Sequence, residues 1–586
     1  MKKFRRQIGG MAAVLMLPLL AGCQPQADIQ AEQPFMMYYN PDYYNTGIIN
    51  TAGHMVAPPD STEKMILYQD GQQACLCVKE STYDKENRNE WDEPTCIGAE
   101  FSFYKPDGSL VRTISLQDKG EVNYYPDSED PLAGVFLCNN IDSGNTVEVL
   151  NCEGTPIITI QPDVQDCYGY ANITTSDHWL MLSAYFYSRD NNEKVYSSEA
   201  LYTWDGELLE TEQNYTNVWH VYDHGEGSDS TAYYQAYYVT PEGESFSDII
   251  DENAAVFVSG ITDCYNYYDG LLMVEKDNKR GLVDLEGNWL YYETPDGQTM
   301  IAETTPDDGQ QPEVMYFVGY NGSGIINTAG RMILPVDDLG KFTVTGDDGS
   351  TQYLYTITNH CDYENPDRWG SPRYTGAEYA FYTTGGELIK KIDLRGKGTV
   401  AFSAGDTPED CYFLCNAAEL GGDLELIRGD GSTILTVPLD MPEDSQYVHS
   451  YSYMTVFDNW LCIDYNCNDY RNGSYIQLAA GSEYYTTDGQ PMQFAQDYSS
   501  IWQIWDYDGE ESAESGYYQA NYTNTQGKYL LDILDSQGNT VLTGLSMVGN
   551  YHDGLLVCER GSERGLMDLR NGSWIYKESL FSQLDD

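Results

Sequence analysis

Basic residues are scarce in this chain: 31 Lys and Arg stand against 92 Asp and Glu, a formal net charge of -61 over 586 residues. A surface so negative repels phosphate backbones and anionic headgroups, which excludes nucleic acid as a partner. Histidine is rarer still, at seven residues. None of them falls in a Cys/His metal motif or beside a nucleophilic Ser. Gly-x-Ser-x-Gly elbows and Walker-type phosphate loops are also missing. Beyond the N-terminus there is no apolar run near the ~20 residues that a membrane-spanning helix takes. Helical periodicity with caps is almost absent, so a helical fold is excluded.

What is present is apolar and aromatic. The chain is 41% hydrophobic, with 51 Tyr and 10 Trp, ample for large cores and contrary to disorder. At the N-terminus, Lys2, Lys3, Arg5 and Arg6 precede an apolar run over 11–20 and then Leu20-Ala21-Gly22-Cys23. Charged, apolar and small-residue zones in that order form an export signal. Leu-Ala-Gly-Cys resembles the lipobox of bacterial lipoproteins. That resemblance implies that residues 1–22 are removed and that Cys23 is diacylated (palmitate being the usual kind of chain). The protein would then sit in the bacterial cell envelope, tethered to a membrane outside the cytoplasm. Two acyl chains hold a protein firmly where one holds it marginally. Residues 23–33 read as a polar tether. With Cys23 lipidated, 13 of the 14 cysteines remain, and an odd number excludes a complete disulfide framework. Cys138 and Cys415, each inside an apolar strand-like run, read as buried thiols.

The rest of the chain is a duplication. Gly47-Ile48-Ile49-Asn50-Thr51-Ala52-Gly53 recurs 277 residues later as Gly324-Ile325-Ile326-Asn327-Thr328-Ala329-Gly330. Tyr233-Tyr234-Gln235-Ala236 recurs 284 residues later as Tyr517-Tyr518-Gln519-Ala520. The order is kept throughout, giving copies over 34–293 and 313–586, with a polar linker over 294–312. Within each copy, strand-like runs meet at turns carrying Gly53, Gly108, Gly154, Gly206 and Gly287, or Gly330, Gly386, Gly431, Gly489, Gly538 and Gly572. Glu252-Asn253 fills the remaining place in the first copy. Units of about four short strands suit an all-β fold of two tandem six-bladed β-propeller-like domains, since propellers hold 4–8 such blades. A β-solenoid or one larger closed repeat array is the alternative.

Asp269-Gly270-Leu271-Leu272 through Gly281-Leu282-Val283-Asp284, and the matching stretch from Asp553 to Asp568, resemble the WG-containing repeat family of bacterial proteins. Gly47 to Pro59 and Gly324 to Pro335 resemble that family's second half. The naming Trp is replaced by Arg280, Arg564, Thr46 and Ser323. The resemblance implies a β-rich repeat scaffold and brings no catalytic residues.

Candidate sites are few. His220-Val221-Tyr222-Asp223-His224 has metal-like spacing, but on a strand the two rings stand roughly 13 Å apart. So acidic an exported chain is a candidate for calcium, with the loops over 127–130 and 506–511 as oxygen-rich places. Trp179 with Trp460, Trp219 with Trp502, and Trp289 with Trp574 fall at equivalent places in strand-like runs and read as core. Trp91 and Trp369 instead sit in long polar loops, where a flat apolar face can stack on a sugar or grip a peptide. The sequence therefore points to a lipid-anchored, non-enzymatic scaffold that binds a protein or glycan through Trp91 and Trp369. The alternatives are an exported carbohydrate-active hydrolase working with paired carboxylates and a purely structural envelope component.

Overall fold

The structure is a computed structural model and describes residues 34–579. Left out are the short segments 41–44, 70–71, 89–93, 128–129, 165, 177, 223–229, 269, 302–312, 347–349, 367–369, 440–447, 458, 472–473 and 509–510. The described chain is all-β, built from small antiparallel sheets of mostly three or four strands. One helical turn over Ile141–Gly144 and one 3-10 turn over Ala418–Leu420 are the exceptions.

Local chemistry sets the strand ends. At turn after turn an Asp or Asn side chain accepts the backbone N–H two or four residues on, and a residue with positive φ follows. Asp251, for example, accepts from Asn253 and Ala255 at 2.8 Å each. Asp535 accepts from Gln537 at 3.0 Å and Asn539 at 2.8 Å. Part of the acidity is therefore spent on turn formation, where short acceptors compete well for free N–H groups. The turn at Asp251 lacks glycine: Ala254 takes φ 59° where its counterpart Gly538 has φ 79°.

Twelve units follow one another. In the first copy they cover 35–57, 63–117, 121–160, 167–203, 215–261 and 263–301; in the second, 314–337, 340–393, 399–437, 448–486, 500–545 and 546–579. The last two share the long strand Thr540–His552 and so form one seven-stranded sheet. In the first copy that strand is two, Val256–Ile261 and Asp263–Tyr268.

No unit buries both faces alone, and each packs on the next. Unit 4 lays Trp179 and Met181 on Val218 and Tyr234 of unit 5. Unit 10 repeats this with Trp460 and Cys462 against Tyr518 and Ala520 of unit 11. Two separate six-bladed rings would need unit 6 to pack on unit 1 and unit 12 on unit 7. The described contacts run otherwise. Met273 and Leu282 of unit 6 pack on Phe317 and Ile326 of unit 7, and Ile325 and Leu334 of unit 7 continue to Leu354 of unit 8. At the far end, Val557 and Leu566 of unit 12 pack on Met36 and Ile49 of unit 1. The series thus passes through both copies and returns to its start. The physical reason lies in the faces themselves: the apolar side of unit 6 is already covered by unit 7, leaving nothing to close the first copy alone.

Polar links reinforce the seam between the copies. Arg280 pairs with Glu275 across its hairpin at 2.7 Å and donates to the Gly319 carbonyl of unit 7 at 3.2 Å. Its guanidinium also lies over the Tyr320 ring, 4.4 Å from the centroid. Arg280 is therefore a tie between units 6 and 7. The linker expected over 294–312 begins folded: the turn at Gly297 leads into Thr299–Ile301, a fifth strand on unit 6. Its remainder, 302–312, lies outside the described residues.

Candidate functional site

Cys23, Trp91 and Trp369, the residues singled out from sequence, all lie outside the described residues. So does His224. His220 is half-buried, its ring 4.5 Å from that of Tyr234. Among the described residues no group of three His, Cys, Asp or Glu side chains is placed to hold a metal ion. The two acidic loops are only partly described. In them, Asp127 accepts the Asp130 amide at 3.0 Å, and Asp506 accepts from His552 Nδ1 at 2.9 Å and from the Asp553 amide at 3.1 Å. These carboxylates are occupied in holding the chain together.

The buried carboxylates are occupied as well. Asp248 and Asp532 occupy equivalent places at 2% and 1% exposure. Asp248 accepts the Tyr215 hydroxyl at 3.0 Å and the Gly260 amide at 2.9 Å. Asp532 does the same with Tyr498 and Gly544, both at 2.9 Å. Burial, and then the facing carboxylate, push the Tyr498 hydroxyl up to about 12, so it stays a donor. The 13 cysteines described are free thiols. Burial pushes Cys138 and Cys415 up to about 12, as suits inert core groups.

The tryptophans divide differently from the sequence expectation. Trp179 and Trp460 are core residues at 0% exposure. Trp219 and Trp502 are not: they stand 59% and 63% exposed. Successive side chains of a strand point to opposite faces. In Tyr215–Tyr222, Val218 takes the buried face, so Trp219 must take the other. In Ser500–Asp508, Ile501 is buried and Trp502 faces out. The signal was legible: two adjacent large apolar residues cannot share one face of a strand.

These two rings belong to a pattern. In units 1, 2, 4, 5, 7, 8, 10 and 11 the first strand exposes a large apolar side chain, at matching places in the two copies. Met37 in Phe35–Asn40 matches Tyr316 in Val314–Gly319, and Met65 in Glu63–Gln69 matches Phe342 in Gly340–Thr345. Tyr170 in Cys167–Thr175 likewise matches Tyr451 in Val448–Val456. First strands are also where several neighbouring units meet. Those of units 5 and 6, 7 and 8, 9 and 10, and 12 and 1 lie beside one another. Those of units 11 and 12 form a parallel bridge, Asp506 to Tyr551. Exposed rings thus lie on strands that converge, although last strands expose rings too, Tyr196, Phe257 and Tyr475 among them.

An open cavity of about 420 Å³ lies on this side of unit 10, bounded by Tyr451, Asp464, Asn466 and Ser482 and by Tyr498 and Ser499 at the entry to unit 11. The Asn466 amide donates to the Tyr451 hydroxyl at 3.1 Å and accepts from Asn468 at 2.8 Å. Ser482 Oγ donates to Asp464. Three residues on from Ser499, the Trp502 indole donates to Ser500 Oγ at 3.2 Å.

No family model matches the chain, and no curated protein matches it. Solved structures give faint likenesses. A eukaryotic initiation factor is 11% identical, with 74% of this chain and 93% of that one covered at a TM-score of 0.29. A post-proline cleaving enzyme from Rickettsia typhi is 8% identical, with 83% and 55% covered and a TM-score of 0.20. An acylaminoacyl peptidase from Pyrococcus horikoshii is 10% identical, with 69% and 57% covered and the same score of 0.20. Likenesses of this size carry nothing over to this chain's activity.

Proposed function

We propose that this protein is a lipid-anchored, extracytoplasmic binding scaffold whose twelve units form one closed propeller-like array. The ligand, a glycan or protein, is taken on the apolar side chains of the converging first strands. The observation that carries this reading is the pair Trp219 and Trp502, exposed at equivalent places on the outward faces of their strands. Solvated indoles cost a soluble protein apolar exposure and are characteristic of contact surfaces. Trp91 and Trp369, on their polar loops, remain candidate second contacts. The lipid on Cys23 would keep this surface at the membrane, and the net charge of -61 turns it away from anionic partners.

A hydrolase reading draws no support from the buried acids, since Asp248 and Asp532 are committed to Tyr and backbone partners. Retention on glycan and peptide arrays tests the binding reading. Saturable binding without product is expected, weakened about tenfold or more by Trp219→Ala with Trp502→Ala. Turnover of a glycan, or binding indifferent to both indoles, would overturn it. Labelling with palmitate tests the anchor: wild type takes up label and Cys23→Ser does not.

A further inference from the structure

We infer that unit 10 carries a subsite for a neutral saccharide and that its counterpart in the first copy, unit 4, does not. This rests on the binding-scaffold reading and deepens it. Strand register makes the two faces directly comparable. Asp464 pairs with Ser482 and Asn466 with Tyr451; the same places in unit 4 are Ser183 with Glu199 and Tyr185 with Tyr170. In unit 4 the face is filled by rings. Tyr170 lies 5.1 Å from Tyr185 and 6.3 Å from Tyr187, and Tyr168 stacks on Tyr187 at 5.6 Å. Lys194 covers Tyr185 at 5.7 Å. In unit 10 an amide stands where Tyr185 stood and a hydroxyl where Glu199 stood, and the space opens into the cavity of about 420 Å³.

The lining suits a sugar ring. Exposed Tyr451 offers a face for stacking C–H surfaces. Asp464, Asn466 and Ser482 offer acceptors and donors whose orientation is already set by their own hydrogen bonds. Preset polar groups beside an aromatic face are what a ring of hydroxyls needs, and they lower the ordering cost of binding. Among the described residues no basic side chain lines the cavity. With the carboxylate of Asp464 present, an anionic sugar would bind against the field.

The test uses the full mature protein and titration calorimetry with three probes: neutral cellohexaose, neutral maltohexaose and an oligolysine peptide. Asn466→Tyr installs the residue that unit 4 tolerates at the same place, so the fold is expected to keep its melting temperature. Tyr451→Ala is the second variant, removing a stacking face without filling the cavity. A neutral hexaose is expected to bind, and each variant is expected to weaken it at least tenfold. If a hexaose binds, is lost with Trp502→Ala and ignores both unit 10 variants, the scaffold reading stands and this subsite is overturned. If oligolysine alone binds and responds to Asn466→Tyr, the cavity is a cationic-peptide site and the saccharide assignment is overturned. If none of the probes binds, the inference is likewise overturned.

Discussion

The two copies agree where their sheets press together and part company where unit 10 opens a cleft. At the interface of units 4 and 5, Trp179 and Asp248 sit as Trp460 and Asp532 do at that of units 10 and 11, with the same Tyr and Gly partners. A few residues further along the same strands, Tyr185 and Glu199 give way to Asn466 and Ser482. The lesson is physical. Where two sheets press together, volume and hydrogen-bond satisfaction allow few solutions. Where the cleft opens to water the chain is free to vary, and that freedom is where a ligand site can be built.

The sharpest way to break this comparison is to remove the shared core ring. Trp179→Ala and Trp460→Ala should each cost about 3–5 kcal/mol, as large-to-small core changes do. Trp219→Ala and Trp502→Ala should cost less than about 0.5 kcal/mol, being surface changes. Urea unfolding measures all four, and similar losses at the two kinds of site would refute the division. Next in size, Asp248→Ala or Asp532→Ala leaves a buried hydroxyl and amide without an acceptor. That should cost about 1–3 kcal/mol in either copy. Arg280→Ala should cost about 1–2 kcal/mol by cutting the tie between units 6 and 7. This is less than the ~3–5 kcal/mol for breaking a fully buried pair, because the site is partly solvated.

An alkaline limit is also expected. Cys77, Cys138, Cys415 and Cys558 are held protonated by burial, pushed up to about 12. A group whose folded pKa is raised binds its proton more tightly in the folded state. Its contribution is intact below the unfolded value near 9 and is lost as pH rises toward 12. Denaturation midpoints should therefore be flat from pH 7 to 8.5 and fall above about pH 9. A midpoint that rises with alkali would contradict the buried-thiol assignment. The smallest effect sharpens the comparison at a turn. Ala254→Gly should stabilise by about 0.5–1 kcal/mol, since an L side chain at positive φ costs roughly 1–2 kcal/mol and glycine returns part of that in chain entropy. Gly538→Ala should move the other way.

Much of the architecture was legible because β physics writes itself in short-range patterns. Gly108, Gly154 and Gly431 marked real hairpin turns, and the apolar runs around Cys138 and Cys415 became buried strands. The duplication set the count of units at twelve. How the units join was not legible: a sheet's apolar face says that it needs a neighbour, not which one, and the 6-to-7 and 12-to-1 contacts join residues hundreds of positions apart. The placing of two tryptophans is a related case. Trp219 and Trp502 read as core from their strand-like setting, although adjacency to Val218 and Ile501 requires them to face the other way. The cavity in unit 10 had no local signature. Asp464, Asn466 and Ser482 are ordinary polar residues until the register of three strands brings them together.

The closed circuit is most directly tested by electron microscopy of single particles of the protein. One continuous ring built from twelve units is expected. Two separate discs joined by a strap would show that each copy closes on itself, and would contradict the packing of Val557 and Leu566 on Met36 and Ile49.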